Sequence, residues 1–387
     1  MRGLFPLMLL TSLCAGVCAQ KPKDAAAKPS ATTTTSTAAT EKWQELTARQ
    51  EERTKGLKRG DKEAVSQMFT ERLADLEGFA KEFPKSTEAN KALLEVAQIA
   101  MQDKTHADAG KDALAKFDAM QADLSSGIMA IRIAAGLKLD DRKEQLMDLV
   151  TERAKTIEER MELVTALKLS IKDEERADKV LAATEAMAKS DEDKASILIG
   201  KANLVRYQDR KNKEAYTAAL AEVAKAYPAT KAGKLAAGKI AAADLKAGSD
   251  PVAFKVKDMD GKDVSPADYK GKVLLIDFWA TWCGPCMGEL PNVLEVYQQY
   301  HDKGFEILGI SLDRDTGHDK LVSTIKDRGM SWRHVYDGKF WSAEVAQIYD
   351  VQSIPFTVLI GKDGKVIGTS LRGDKLGPAV EAALEAK

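Results

Sequence analysis

Cysteine is scarce in this sequence, with four residues among 387, which limits what disulfides can do here. Two of them, Cys14 and Cys18, lie in an apolar N-terminal stretch that we expect to be removed. A secreted protein that uses disulfides as structural cross-links distributes cysteine pairs along its chain. The remaining pair, Cys283 and Cys286, closes a very small loop, so its stabilising effect is small. We therefore expect this pair to be kept for its reactivity.

An excess of charge of one sign is also absent, because 58 Lys and Arg face 59 Asp and Glu. This balance argues against nucleic acid and against an anionic membrane surface as partners. A structural zinc site is the alternative use of the cysteine pair, but it needs four ligands. No second C-x-x-C exists, and the histidines show no partnered spacing. We expect exposed histidines, no metal and no cofactor.

The N-terminal residues have the features of an export signal. One arginine precedes the apolar stretch at 4–17, which is too short for a permanent membrane span, and small residues precede Gln20. We predict a cleaved signal peptide at 1–19 and a periplasmic or otherwise exported protein. A lipoprotein acylated on Cys14 or Cys18 is the alternative, disfavoured because the residue before each cysteine is larger than such sites usually accept.

Composition divides the rest of the chain before residue 250 into two parts. Residues 20–40 carry Lys, Pro, Ala and a Thr/Ser run with almost no large apolar side chains, which predicts a disordered linker. Residues 41–247 are rich in strong helix formers, and apolar residues recur at helical spacing, as at Leu146 and Val150. We predict an all-α region of stacked hairpins that offers a surface for a protein partner.

Two helix–turn–helix joints are visible in that region, at 79–86 and 223–230. In each an aromatic residue closes one helix, a proline follows, and Ser86 or Thr230 stands where the next helix needs an N-cap. These joints weakly resemble the end of a tetratricopeptide unit. No even 34-residue period connects them, which favours an irregular helical-repeat domain.

After residue 250 short β-branched runs alternate with helical segments, which predicts an α/β domain with a mixed sheet over 250–387. Asp363-Gly364 marks a hairpin between two strands. The predicted strands are 252–256, 273–278, 306–312, 356–360 and 365–369. The predicted helices are 285–301, 320–328 and 342–349, with a final helix after Gly373.

The segment 272–286, Lys-Val-Leu-Leu-Ile-Asp-Phe-Trp-Ala-Thr-Trp-Cys-Gly-Pro-Cys, closely resembles the thioredoxins. With Glu-Leu-Pro at 289–291 it resembles the exported, TlpA/ResA-like thiol–disulfide oxidoreductases. The resemblance covers about 250–387 and implies a thioredoxin fold. A C-x-x-C that follows a buried strand, opens a helix and is joined by a distant Ile-Pro is a strong signal.

The expected chemistry follows from the position of the cysteines. Cys283 precedes a helix that begins at Pro285, where free N–H groups and the helix dipole stabilise a thiolate. Cys283 is therefore predicted to be the nucleophile, and Cys286, within reach of a mixed disulfide, the resolving thiol. Gly284 and Pro285 shape the turn without bulk that would obstruct a substrate.

Two carboxylates are candidate catalytic residues. Asp277 is alone in an apolar strand, and burial would raise its pKa so that it could take the proton of Cys286, the role of the matching residue in thioredoxins. A strand-end Asp facing water is the alternative. The resemblance implies that Glu289 tunes the protonation of the cysteines, and an ordinary surface Glu is the alternative.

The remaining candidates bind substrate. Ile354-Pro355 resembles the family's cis-proline, whose loop pairs with an extended substrate; a trans proline entering an edge strand is the alternative. Trp282 is expected at the rim of the site and Trp279 in the core. The family shows an insertion where this chain has 316–350, and the sequence indicates no partner for it.

Gly-Pro between the cysteines is typical of reducing thioredoxins. We therefore predict an enzyme that reduces protein disulfides and is itself re-reduced by a membrane electron donor. The alternatives are a peroxiredoxin-like peroxidase, which would carry its cysteine in a different motif, and a helical scaffold with a regulatory redox domain.

Overall fold

The computed structural model describes residues 31–55, 57, 61–209 and 211–386. The predicted signal peptide lies outside these residues. The described chain forms two compact units, one ending at Asn212 and the other beginning at Lys213. In the described part no helix has both the length and the apolar character needed to cross a bilayer.

The first unit is entirely helical. In its described residues it contains α1 (Ala31–Lys55), α2 (Lys62–Glu82), α3 (Thr87–Gln102), α4 (Ala107–Lys116), α5 (Leu124–Gly136), α6 (Asp140–Arg153), α7 (Ile157–Ala166), α8 (Glu174–Met187) and α9 (Asp191–Gln208). Neighbouring helices such as α2 and α3, or α5 and α6, pack as hairpins. Leu146, Val150 and Leu163 are fully buried, as their helical spacing predicts.

Side-chain caps begin several of these helices, including the one predicted at Ser86. The Ser86 hydroxyl accepts a hydrogen bond from the N–H of Ala89 at the start of α3. Thr156 and Glu159 form a reciprocal capping box at the start of α7. Each cap satisfies N–H groups that the helix itself leaves unpaired.

The structure differs from the predicted linker at residues 31–40, which belong to α1. The cause is the amphipathic segment that follows, in which Trp43 and Leu46 are buried. Ala39 is buried as well. Tertiary packing therefore holds the helix where composition alone predicts disorder.

The second unit begins with a helical hairpin, α10 (Lys213–Ala226) and α11 (Lys231–Ala243), which the sequence grouped with the helical region. Thr230 caps α11 through the N–H of Gly233. The sheet elements follow. The strands are β1 (Val256–Lys257), β2 (Asp263–Val264), β3 (Val273–Trp279), β4 (Phe305–Ser311), β5 (Arg333–Val335), β6 (Phe356–Ile360) and β7 (Val366–Thr369), and the helices are α12 (Gly284–Tyr300), α13 (His318–Arg328), α14 (Glu344–Ile348) and α15 (Leu376–Glu385).

Five strands form one mixed sheet in the order β5-β4-β3-β6-β7. The central strand β3 is buried along its whole length and pairs with β4 in parallel and with β6 antiparallel. Gly364, at φ 81°, makes the turn between β6 and β7. A helical region followed by an α/β unit with a mixed five-stranded sheet confirms the predicted fold class.

Two strand predictions need correction. Residues 252–255 are not a strand, and β1 begins only at Val256. Val252 and Phe254 are buried and alternate with exposed neighbours, which is the pattern of a strand. The Val252 carbonyl, however, accepts from the hydroxyl of Tyr349 and not from a strand partner. The sequence analysis also missed two short strands, β2 and β5; β5 is a three-residue edge strand that contains Arg333 and so lacks an apolar run.

Candidate functional site

The cysteine turn lies between the end of β3 and the start of α12. Cys283 is the N-cap of α12, and its Sγ accepts a hydrogen bond from the N–H of Cys286 at 3.2 Å. The two cysteines are joined in a disulfide. Each is 5% exposed, so accessibility does not distinguish them. Their environments do, since Cys283 faces the proline loop and Cys286 lines an internal cavity.

We call residues 350–355 the proline loop; it runs from the end of α14 to β6. The Ile354–Pro355 peptide is cis, as the resemblance implied. The carbonyl oxygen of Ile354 lies 3.7 Å from the Sγ of Cys283. The antiparallel pairing of Phe356 with Phe278 produces this approach, because it brings the start of β6 beside the end of β3.

Asp277 is buried on β3, which excludes the water-facing alternative. It lines a narrow cavity together with Cys286, Glu289 and Pro355. Burial, with a smaller contribution from the charge of Glu289, raises the pKa of Asp277 to about 7. The volume of this cavity that the centre of a water molecule can occupy is about 10 Å³, close to what one water needs. Asp277 can therefore exchange a proton near neutral pH.

Glu289 lies on α12 one turn after Cys286 and is half-buried. Its Oε1 accepts from the N–H of Gly373 at 2.7 Å and from Nδ2 of Asn292 at 2.7 Å. The carboxylate thus ties α12 to the turn before α15 while it lines the cavity with Asp277. It is not a free surface glutamate.

Trp282 forms part of an aromatic rim beside the cysteines. Its side chain is 39% exposed, and its Nε1 donates to the carbonyl of Leu312. Its ring lies 5.0 Å from that of Phe340 and 6.0 Å from that of Trp341. The insertion, to which the sequence assigned no partner, therefore supplies two aromatic side chains to the rim. Trp279 is buried in the core, as predicted.

Sequence reasoning missed Asp313, a buried carboxylate just after β4. It accepts from the N–H and the hydroxyl of Thr281, the latter at 2.7 Å, and from the hydroxyl of Ser311 at 2.9 Å. These bonds hold the backbone two residues before Cys283. The only available signal was a Ser-Leu-Asp at the end of the predicted strand 306–312.

His334 contradicts the expectation of exposed histidines. It is 5% exposed on β5, with its ring between Trp279 and Trp332, and burial lowers its pKa to about 4. Gly309 leaves room for it, since a Cβ there would lie 2.6 Å from Nδ1 of His334. Among the described residues no cluster of three or more His, Cys, Asp or Glu side chains is arranged for a metal ion.

The pKa of Asp277 predicts how stability depends on pH. Between pH 3.8, the ordinary pKa of Asp277, and about pH 7, its pKa in the structure, the folded oxidised protein holds the Asp277 proton more tightly than the unfolded chain does. This contribution to stability is therefore lost as the pH rises from about 4 to about 7. Asp277→Asn removes this pH-dependent loss of stability. We therefore expect the substitution to raise the free energy of unfolding of the oxidised protein at pH 8 by up to about 4 kcal/mol, and by less towards pH 4.

Urea unfolding followed by tryptophan fluorescence measures this difference. Asp319→Asn, at a fully exposed side chain, is the control for the substitution itself. A gain from Asp277→Asn that does not change between pH 4 and pH 8 contradicts the prediction.

The comparisons with known proteins concern the second unit. A family model described as Redoxin matches residues 246–385. The thiol-disulfide oxidoreductase ResA of Bacillus thuringiensis subsp. konkukian is 33% identical over 141 residues, which are 36% of this chain and 78% of the relative. ResA of Bacillus subtilis is 33% identical over 125 residues, 32% of this chain and 66% of the relative.

Among solved structures, the thioredoxin domain of a thiol-disulfide oxidoreductase from Bacteroides vulgatus is 34% identical, with a TM-score of 0.34; the match covers 37% of this chain and all of that one. The Redoxin match begins after α11, and the resemblance of the helical region to tetratricopeptide repeats stays a prediction. From its sequence similarity to the ResA proteins, and with a C-x-x-C pair at the start of α12, the chain belongs to the ResA family of thiol-disulfide oxidoreductases.

Proposed function

We propose that this enzyme reduces disulfides in protein substrates through a mixed disulfide on Cys283. The observation that carries the proposal is the position of the Cys283 sulfur, which accepts the N–H of Cys286 and lies 3.7 Å from the Ile354 carbonyl. The N–H group and the helix start stabilise a thiolate on Cys283 in the reduced enzyme. The carbonyl lies where the backbone of an extended substrate would pair.

In the first step the Cys283 thiolate attacks one sulfur of the substrate disulfide. A bond forms between Cys283 and that sulfur, the substrate S–S bond breaks, and the second substrate sulfur leaves as a thiolate that takes a proton from water. The intermediate is a mixed disulfide between enzyme and substrate.

In the second step Cys286 releases the substrate. Its thiol proton passes to the Asp277 carboxylate, with a pKa of about 7, across a cavity that admits one water. The Cys286 thiolate attacks the Cys283 sulfur, and the substrate leaves as a thiolate that takes a proton. The substrate gains two electrons and the enzyme keeps the Cys283–Cys286 disulfide, the state in the structure.

Substrate binding is assigned to the surface around this disulfide. Trp282 contributes an exposed aromatic ring, and Gly284 and Pro285 are exposed at the start of α12 without a bulky side chain. The backbone of Ile354, ahead of Pro355, would pair with the substrate main chain. A peptide bound there would place its disulfide against Cys283.

The cellular setting remains part of the proposal. The apolar segment before Gln20 supports export to the periplasm, where the oxidised enzyme would be re-reduced by a membrane-bound dithiol donor. The nine-helix unit described from α1 to α9 would bind a protein partner or client. This unit lies wholly outside the Redoxin match at 246–385, which supports a role for it in binding.

Substitution of single cysteines tests the mixed disulfide. Cys286→Ser leaves the nucleophile but removes the group that resolves the intermediate. With insulin as the disulfide probe, we expect a covalent adduct that survives non-reducing electrophoresis and is released by dithiothreitol. Cys283→Ser is the matched control and should give no adduct. Equal adducts from both variants would contradict the assignment of the nucleophile.

A redox titration tests the direction of exchange. Because Gly-Pro separates the cysteines, we expect a midpoint near the value of thioredoxin, about −270 mV. The measurement is the fraction of alkylatable cysteine after equilibration in dithiothreitol buffers. A midpoint above about −180 mV, the value of protein disulfide isomerase, would make the enzyme an oxidant or isomerase instead.

A further inference from the structure

The hairpin of α10 and α11 reaches the proline loop through a buried ion pair. Lys239, on α11, is 3% exposed, and its Nζ lies 2.8 Å from Oδ1 of Asp350, the first residue of the loop. The hydroxyl of Tyr216, on α10, lies 3.4 Å from the same oxygen. A charge buried to this extent requires a partner, so the cation and the carboxylate constrain each other.

The backbone at Asp350 explains why the position matters. Its φ is 49°, in the left-handed region, and the N–H of Val351 donates to the carbonyl of Ala346. This is the hydrogen-bond pattern that ends a helix on a residue usually occupied by glycine. Aspartate is tolerated there at some conformational cost. Unlike glycine, aspartate has a carboxylate that binds Lys239.

The helices are also in close contact at this point. A Cβ on Gly238 would lie 2.9 Å from Cγ2 of Ile348 and 3.3 Å from its carbonyl oxygen. The backbone of α11 therefore packs directly on α14, the helix from which the proline loop emerges. The ion pair therefore lies where α11 and the end of α14 pack against each other.

The loop is short, so its first residue restricts its last. Five peptide units connect Asp350 to Pro355, and the side chain of Gln352 adds a hydrogen bond to the Asp350 carbonyl at 3.1 Å. The Redoxin match begins at residue 246, so Lys239 and Tyr216 come from outside that domain. Both contact Asp350, the first residue of the proline loop.

We propose that Lys239, supported by Tyr216, is a positioning residue that holds the proline loop in the conformation that pairs with a polypeptide substrate. The inference rests on the proposed function. Releasing the loop should slow attack on a disulfide within a peptide, because the substrate backbone then has no ordered partner. Attack on a small disulfide without a peptide backbone should be unaffected.

The test uses the full-length chain in the Cys286→Ser background and the double substitution Lys239→Met with Asp350→Gly. Replacing both charges avoids leaving one unpaired, and such replacements of buried pairs are often neutral for folding. Glycine also adopts the left-handed conformation freely. The rate of mixed-disulfide formation is measured with a disulfide-bonded peptide and with hydroxyethyl disulfide, and thermal unfolding checks the fold.

We expect the double variant to react with the peptide about fivefold slower or more, the lower end of coupling between distinct groups. Its rate with hydroxyethyl disulfide should be unchanged. Lys234→Met, at an exposed lysine on the same helix, is the control and should change neither rate. A uniform loss with both disulfides would indicate a structural role only and overturn the inference.

The two proposals fail in distinguishable ways. If the parent reacts with the peptide and the double variant reacts equally fast, the positioning role is wrong and the proposed function stands. If Cys283 of the parent forms no mixed disulfide with the peptide, both are overturned. Should the double variant unfold, Lys239→Met with Asp350→Asn, which also removes both charges, gives the same comparison, and an unchanged peptide rate in it overturns the inference.

Discussion

The chemistry of the site depends on the hydrogen bond from the N–H of Cys286 to the sulfur of Cys283. This bond in turn depends on where α12 begins. The helix starts one residue after Cys283, so the sulfur caps it and accepts from the N–H of Cys286, which has no partner within the helix. Moving the helix start by one residue would remove this environment. The turn is held from the other side by Asp313, through the N–H and hydroxyl of Thr281.

The sheet brings three separate segments to the cysteine turn. Parallel pairing of β3 with β4 places Asp313 beside the turn, and antiparallel pairing with β6 delivers the Ile354 carbonyl. Asp277, inside β3, faces the cavity behind Cys286. Cys283, Asp277 and the Ile354 carbonyl, to which we assign nucleophilic attack, proton acceptance and substrate pairing, are thus positioned by strands that are largely buried. The proline loop, which is not a strand, depends on the ion pair of Asp350 with Lys239.

Local patterns in the sequence predicted the fold class, the central strand, the cysteine turn and the cis Ile354–Pro355 peptide, because each follows from a continuous segment or a motif of the family. Contacts between distant segments were not predictable. Lys239 and Asp350 are 111 residues apart, and nothing in either neighbourhood marks them as a pair. His334 looked like a surface residue because β5 is too short to show a burial pattern. The composition of residues 31–40 predicts disorder because it carries no information on the burial of Trp43 and Leu46. That burial stabilises α1, the helix to which residues 31–40 belong.

The most direct test of the central claim is the rate at which iodoacetamide alkylates each cysteine of the reduced full-length protein at pH 7, read by mass spectrometry. A thiolate stabilised at the start of α12 predicts that Cys283 reacts faster than free cysteine, by about threefold or more once its lower intrinsic nucleophilicity is included. Cys286 should react much more slowly in the same sample. A Cys283 rate equal to or below that of free cysteine would contradict the account.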